Sequence, residues 1–354
     1  KGFPMAEHLS DRVNQDRCWN ILKSVILAKT GLAPSVQNIP AGNPTDKTKT
    51  DEQPETDGER TGPAYVRSTG QDMDGVGFYA FTEQAEFPPH IFTPSVVVVA
   101  QGTKILRTGT EEFRYGENVY FLCGAEIPVY SCIPEASPVH PYLALSLTLN
   151  MAIVKELSAQ MHRPLENTPC TSIATTQKLD ADLLDAFTRL AELTMHAHPS
   201  PVLARMLIQE IHCRLLESPF GPALYRLTTQ GSHENQIYRS LAWLKENFAA
   251  TVSVTDLARQ VNMAPSTYHK YFKGMTSFSP LQYQKRLRLH EARRLMLADG
   301  LDVAQAAMRV GYESTTQFIR EYKRLYGKSP KKDTTLMKAS QQEEKGVEAE
   351  DGTV

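Results

Sequence analysis

Residues 237–330 contain one short pattern written twice, and that duplication constrains the fold more than any other feature of the chain. The first copy is VTDLARQVN, the turn MAP, then STYHKYFK; the second is DVAQAAMRV, the turn GYE, then STTQFIREYKRLY. Each copy reads as a small amphipathic helix, a tight turn and a second helix rich in polar and basic residues. In the first copy Leu257, Ala258 and Val261 line the inner face of the support helix, and the small Ala258 permits a close helix crossing. Met263 fills the turn, Ser266 is expected to cap the next helix, and Tyr268 and Phe272 point inward together at i and i+4. The second copy repeats this logic. Val303, Ala306, Ala307 and Val310 face inward, Gly311 ends the helix in a left-handed conformation, Ser314 caps its successor, and Phe318, Tyr322 and Leu325 point to the core.

The residues left outside carry the functional argument. Ser266, Thr267, His269, Lys270 and Lys273 face out from the first copy, with Ser266, His269 and Lys270 sharing one helix face. Ser314, Thr315, Thr316, Ile319 and Arg320 do so in the second. Short polar and basic side chains on one helix face suit the DNA major groove. Thr316 and Arg320 are placed to meet base edges, and the Ile319 methyl groups to meet a thymine methyl. Between the copies, PLQYQKRLRLHEARRLMLAD makes a helix of about 20 residues, roughly 30 Å long. One turn of B-DNA is roughly 34 Å, so this linker predicts two reading helices in successive major grooves. Lys285, Arg286, Arg288, Arg293 and Arg294 on the linker are candidates for phosphate contacts, which position without reading sequence.

Charge distribution supports the same reading. The net charge of −2 hides an asymmetry: residues 231–333 hold 17 Lys and Arg against 9 Asp and Glu, whereas residues 1–230 hold 19 against 26. A basic block beside an acidic remainder is the footprint of a nucleic-acid-binding domain attached to a domain with another task.

Upstream, residues 1–33 are expected to hold one helix and residues 34–74 a disordered polar linker with too little apolar content to offset its ordering entropy. Residues 75–150 change to short β-type runs punctuated by glycine and proline, including VGFYAFTE, SVVVVAQ and IPVYSCI, which predict a small β sandwich or barrel. Arg114 to Asn118 reads there as a tight hairpin turn. Residues 151–230 read as a helical hairpin with a dimerising face; Asp180 and Ser200 are its expected N-caps, with Pro201 at the first helical position. Residues 231–333 form the duplicated block, and residues 334–354 a disordered acidic tail.

These stretches resemble a known family. SVTDLARQVNMAPSTYHKYFK, SPLQYQKRLRLHEARRLML and RVGYESTTQFIREYKRLYGKSP resemble the C-terminal domain of the AraC/XylS family of bacterial transcription regulators. SVVVVAQGTKIL, EEFRYGENVYFL and IPVYSCIPEASPVHPYLALSLTL resemble the N-terminal domain of one of its subgroups, whereas residues 1–74 depart from the family in length. The resemblance implies an α+β chain. A cupin-like β-barrel sensor with a flanking helical hairpin would precede an all-α double helix-turn-helix domain. It also implies a homodimer that binds double-stranded promoter DNA, recruits RNA polymerase as an activator, and answers to a small-molecule effector.

Other classes find less support. No GxSxG, HExxH, P-loop or dinucleotide fingerprint is present, so no enzyme and no cofactor are expected. His90 and His140 sit beside prolines in expected loops, and His196 and His198 at a helix end, so no metal site is expected. Tyr79, Phe81, Phe113, Tyr120 and Tyr130 are the candidates to line an effector pocket. A thiol-responsive regulator using Cys123 and Cys132, expected on neighbouring strands, is the alternative, and a constitutive binder without effector a further one. Five scattered cysteines without a CxxC and no apolar run of about 18 residues point to the cytoplasm and away from a membrane.

Overall fold

The computed structural model describes residues 5–32, 75–161 and 172–339. The expected linker at 34–74 and residues 340–354 of the expected tail lie outside the described residues. Helix α1 (Met5–Thr30) comes first, followed by two antiparallel sheets. The larger sheet contains β1 (Val76–Phe81), β3 (Ser95–Gln101), β6 (Val119–Cys123), β8 (Tyr142–Thr148) and β9 (Ala174–Lys178), in the order β1-β8-β3-β6-β9. The smaller contains β2 (Ala85–Phe92), β4 (Thr103–Thr108), β5 (Glu111–Gly116) and β7 (Ile127–Ile133), in the order β2-β7-β4-β5.

The sheets pack face to face: Tyr115 of β5 stacks on Phe121 of β6 with ring centroids 5.0 Å apart. Strand β3, SVVVVAQ, is buried from Ser95 to Ala100 without alternation. A strand reads that way only if both its faces are covered. The second sheet covers one face, and α1, packed on β1, β3 and β8 through Leu22, Val25 and Ile26, covers the other. The Pro88-Pro89 pair shifts the β2 register between Phe87 and His90, since neither proline can donate to the ladder, and the strand accordingly lies at a sheet edge.

Three sequence expectations change here. The tight hairpin is formed by β4 and β5, where Thr108 pairs with Glu111 around Gly109 at φ +57°, and not by Arg114 to Asn118. Arg114 continues β5, and Asn118 at φ +64° instead turns the chain from one sheet into the other. The 151–230 segment is not purely helical. It holds α2 (Met151–Met161), α3 (Ala181–Leu193), α4 (Pro201–Glu217) and α5 (Gly221–Thr228), but also β9, which completes the larger sheet against β6. Residues 330–339 form a helix, α12, which takes in residues 334–339 of the expected tail. The expected caps hold: Asp180 accepts from the Leu183 N–H at 2.7 Å, and Ser200 from the Leu203 N–H ahead of Pro201.

The duplicated block is all-helical, giving an α+β chain: α6 (His233–Glu246), α7 (Val254–Gln260), α8 (Pro265–Thr276), α9 (Pro280–Ala298), α10 (Val303–Arg309) and α11 (Thr315–Tyr326). Its core is divided. Leu257, Ala258, Tyr268, Phe272, Tyr283 and Leu287 belong to a hydrophobic cluster that runs without a break into the sheets and α1. Leu289, Ala292, Met296, Ala306, Val310, Phe318 and Tyr322 form a second cluster, and Phe248 packs against both. Among the described residues no helix is long and apolar enough to cross a membrane.

Candidate nucleic-acid interface

The first reading helix is α8. Its support helix α7 starts at Ser253, whose side chain accepts from the Asp256 N–H at 3.1 Å, and buries Leu257 and Ala258 completely. The turn closes through Asn262 at φ +57°, a conformation asparagine tolerates better than most residues, with Met263 buried beneath it. The α8 N-cap is Ala264 rather than Ser266. Pro265 at the first helical position has its φ already set for a helix and lacks an N–H that would be left without a partner there, so the helix begins ahead of Ser266. Tyr268 and Phe272 are fully buried: the Tyr268 hydroxyl lies 2.6 Å from Ser240 Oγ on α6, and Phe272 meets Tyr283 of α9 edge-on. Ser266, His269, Lys270 and Lys273 are exposed on the opposite face and Thr267 is half-buried.

The second reading helix is α11. Asp302 and Gln305 form a reciprocal capping box on α10, and Ser314 caps α11 by accepting from the Gln317 N–H. Gly311 takes φ +86° in the turn. Phe318 and Tyr322 are buried and Leu325 is half-buried. Ser314, Thr316, Ile319 and Arg320 are exposed and Thr315 is half-buried.

The cations of the block fall into two groups. Among the described residues Lys270, Lys273 and Arg320 make no ion pair. Those of α9 are nearly all engaged within the fold. Lys285 pairs with Glu321 at 2.8 Å, Arg293 with Asp333 at 2.8 Å, and Arg294 with Glu291 and Asp299. Arg288 is no free cation: it donates to the carbonyls of Phe248, Gly311, Ala249 and Ala250 at 2.7, 2.9, 3.1 and 3.0 Å. Arg286 lies 4.4 Å over the Phe278 ring, half-buried and turned toward the sheets, where burial lowers its pKa. The structure thus gives the expected phosphate ligands of α9 partners within the fold, although Lys285 and Arg294 stay half exposed, and leaves Lys270, Lys273 and Arg320 of the reading helices without an ion pair among the described residues.

The five aromatic candidates for an effector do not converge. Phe81 and Tyr120 are core residues, Tyr79 accepts from the Ser146 hydroxyl at 3.3 Å, and Phe113 packs 5.4 Å from Phe121. Tyr130 is half exposed and donates to the Leu325 carbonyl of α11 at 3.3 Å. It lines a cleft of about 450 Å³ between the smaller sheet and the α9–α11 face, which sequence reasoning did not find. Ile91, Val129, Phe278 and Tyr326 give its apolar walls; Arg107, Arg286, Arg324, His90 and His290 give its polar ones, with no carboxylate among the lining residues. Burial, partly offset by the Pro88 carbonyl and reinforced by the charges of Lys104, His290 and Arg293, pushes His90 down to about 4. Burial also lowers His290.

The two cysteines of the thiol alternative lie on different sheets, Cys123 on β6 and Cys132 on β7, and not on neighbouring strands. Cys123 is fully buried, donates to the Ala125 carbonyl at 3.0 Å, and is pushed up to about 12 by burial, which suppresses the thiolate that such chemistry needs.

Comparison with known proteins adds an independent line. The family model described as the AraC-type transcriptional regulator N-terminus matches residues 72–223, and a helix-turn-helix domain model matches residues 257–334. The chain is 28% identical over 141 residues to the HTH-type transcriptional regulator ExsA of Pseudomonas aeruginosa, covering 40% of this chain and 50% of that protein. It is 26% identical over 150 residues to the HTH-type transcriptional activator RhaS of Pectobacterium carotovorum, covering 42% and 52%. The chain therefore spans about half the length of these curated relatives. Among solved structures it resembles unsaturated fatty acid-bound ToxT from Vibrio cholerae, with a TM-score of 0.51, 11% identity, and 75% of this chain and 96% of that chain covered. At that identity the likeness is one of fold.

Proposed function

The chain belongs to the AraC family of transcription regulators, a family of regulators and not of enzymes, and from that membership we propose that it binds promoter DNA through α8 and α11. Each reading helix enters one of two successive major grooves. The observation that carries this reading is the separation of charges: Lys270, Lys273 and Arg320 stand unpaired on the two faces that the buried aromatics leave outside, while the α9 cations are consumed by the fold. Ser266, Thr267, His269, Ser314, Thr315, Thr316 and Ile319 complete the two faces. RhaS is named an activator, and activation through RNA polymerase is the output proposed for this chain. The N-terminal part of α4 exposes Val202, Leu203 and Met206 to 68%, 51% and 60%, an apolar patch that fits a homodimer contact.

The effector reading moves from the five aromatics to the interdomain cleft. Arg107 is paired with Glu112, but Arg286, Arg324, His90 and His290 have no ion pair among the described residues, and such groups among apolar walls suit an organic anion with an apolar body. ToxT was solved with an unsaturated fatty acid, an anion of that kind. Both walls of the cleft belong to different parts of the chain, so a ligand there couples the sensor to α9 and α11.

The DNA reading is tested by sequencing the genomic fragments that the protein retains and repeating the selection with Lys270→Ala and Arg320→Ala. Each substitution should relax preference at one end of the recovered motif, at about 1–3 kcal/mol per lost base contact. Retention of the same motif at the same affinity by both variants would remove these two faces from the interface.

A further inference from the structure

The residues between α6 and α7 join the two helix-turn-helix units, and Arg288 closes that joint. Helix α6 ends at Glu246, and the carbonyls of Phe248, Ala249 and Ala250 emerge just beyond it. Carbonyls in the turn beyond a helix need donors of their own, and several that converge are best met by one cation with a fork of N–H groups. Arg288 supplies it from the middle of α9, bonding all three, and spends a further N–H on the Gly311 carbonyl in the second unit's turn. Gln284, one turn earlier, donates to Phe248 and Ala250 at 2.9 and 2.7 Å. A Cβ at Gly311 would run into the Ala249 carbonyl, so the two backbones already touch.

The joint continues into the second reading helix. Arg288 lies 5.9 Å from the Tyr312 ring centroid; the Tyr312 hydroxyl donates to Glu321 of α11 at 2.8 Å, and Glu321 also receives Lys285. Phe248 is the residue that packs against both hydrophobic clusters. Without this joint, two units whose cores are separate would be connected by α9 and by the contact of α11 with the smaller sheet.

We infer that Arg288, with the 248–250 carbonyls and Gly311, is a positioning clamp that fixes the separation and rotation of the two reading helices, and so sets the spacing between the two halves of the DNA site. This inference rests on the proposed DNA reading. Arg288 touches no DNA in it; the residue acts through the second unit's placement. A guanidinium suits the task because its planar fork serves several carbonyls at once, which a lysine ammonium cannot reproduce in the same geometry.

The test is selection of bound duplexes from a random-sequence library by the full chain, its Arg288→Ala variant and its Arg288→Lys variant. Hydrogen exchange establishes that each is folded. The wild type should enrich a two-part motif with one fixed spacing, about 10 base pairs centre to centre. Arg288→Ala should enrich the same half-motifs over a spread of spacings. It should bind the wild-type two-part site about tenfold or more weaker, because a loose joint lowers the effective concentration of the second helix. Half-site affinity and the slope of affinity against salt should stay unchanged. If Arg288→Ala does not fold, Arg288→Lys carries the test, with the same broadening expected.

A variant that keeps the wild-type spacing and affinity overturns the clamp. So does a salt slope lowered by about one, the mark of a lost phosphate contact, with spacing intact. A wild type that enriches a single half-motif overturns the clamp but leaves DNA binding standing. A wild type that enriches nothing overturns the DNA reading itself, and the clamp with it.

Discussion

Replacing Asp333 with alanine should loosen the second helix-turn-helix unit while leaving the first intact. Asp333 lies on α12, at the very end of the block, with its side chain 7% exposed beside an Arg293 side chain 11% exposed. One carboxylate oxygen accepts from Arg293 Nε at 2.8 Å and from the Tyr322 hydroxyl at 2.7 Å; the other accepts from Arg293 Nη2 at 3.3 Å. The alanine therefore strands a guanidinium and a phenol in a largely dry site. Removing one partner of such a pair costs about 3–5 kcal/mol. The two tryptophans, Trp19 and Trp243, lie on α1 and α6 and pack in the first cluster, so intrinsic fluorescence is blind to this event. Hydrogen exchange followed by peptide sees it: amides of α10 and α11 should exchange roughly two to four orders of magnitude faster, while those of α7 and α8 stay protected. Asp333→Asn, which keeps an acceptor for Tyr322 and Arg293 but no charge, should give a smaller rise. Unchanged α11 exchange in Asp333→Ala, or an equal rise in α7 and α8, would refute both the value of the pair and the separateness of the second core.

Two further predictions test neighbouring features. Gly311→Ala must adopt φ +86° and also meet the Ala249 carbonyl, whereas Gly327→Ala at φ +72° has open space around its Cβ. Gly327→Ala should cost about 1–2 kcal/mol from conformation alone. Gly311→Ala should cost distinctly more and weaken binding to a two-part site, as denaturation and mobility-shift assays will read. His90 has a folded pKa of about 4, below its ordinary 6.5, mainly through burial, so the stability it contributes is complete above about 6.5 and is lost as pH falls toward 4. An anion in the cleft favours the charged ring, so titration of the His90 ring resonances with a fatty acid present should move its pKa upward from about 4. An unmoved titration would place the anion elsewhere.

What the sequence made legible was local. Tyr268 with Phe272 and Phe318 with Tyr322 were assignable to the inward face because four-residue spacing settles the side of a helix that a residue occupies. Asp180, Ser200 and Ser314 were assignable as caps because a cap bonds an N–H three residues on. The misses are long-range. Arg288 looks like any exposed-helix arginine until the chain brings to it carbonyls 40, 39 and 38 residues away and one 23 residues away. Strand β9, ATTQK, has no apolar alternation to announce it and exists because β6 offers an edge. Residues 334–339 read as polar and unstructured until Asp333, just before them, is held by Arg293, 40 residues back, and anchors the helix that runs through them. The turn residues near Asn118 were correctly placed, but whether a chain folds back or crosses to a second sheet is decided by packing between sheets, which no short window contains.

The same distinction bears on how a signal would pass through the molecule. The first helix-turn-helix unit shares one uninterrupted core with the sheets, and further bonds tie it there: Ser277 to Glu111 at 2.7 Å, Tyr283 to the Glu126 carbonyl at 2.9 Å, and Lys245 to Glu126 at 2.6 Å. A ligand in the sheets moves that unit only by disturbing a continuous packed interior, which close-packed cores resist. The second unit has its own core and meets the sheets near α11, where Tyr130 reaches Leu325 and the cleft opens. It is held in place by the Arg288 joint and not by a shared core, and the proposed effector site lies against it. On this reasoning the effector acts on the angle between the two reading helices and not on either helix alone. The effector and the Arg288 joint then bear on one variable, so a broadened spacing preference in Arg288→Ala should no longer respond to a fatty acid that sharpens or shifts it in the wild type. A wild type whose preferred spacing is identical with and without the fatty acid, while the fatty acid still changes affinity, would place the regulation in the sheets and the first unit instead.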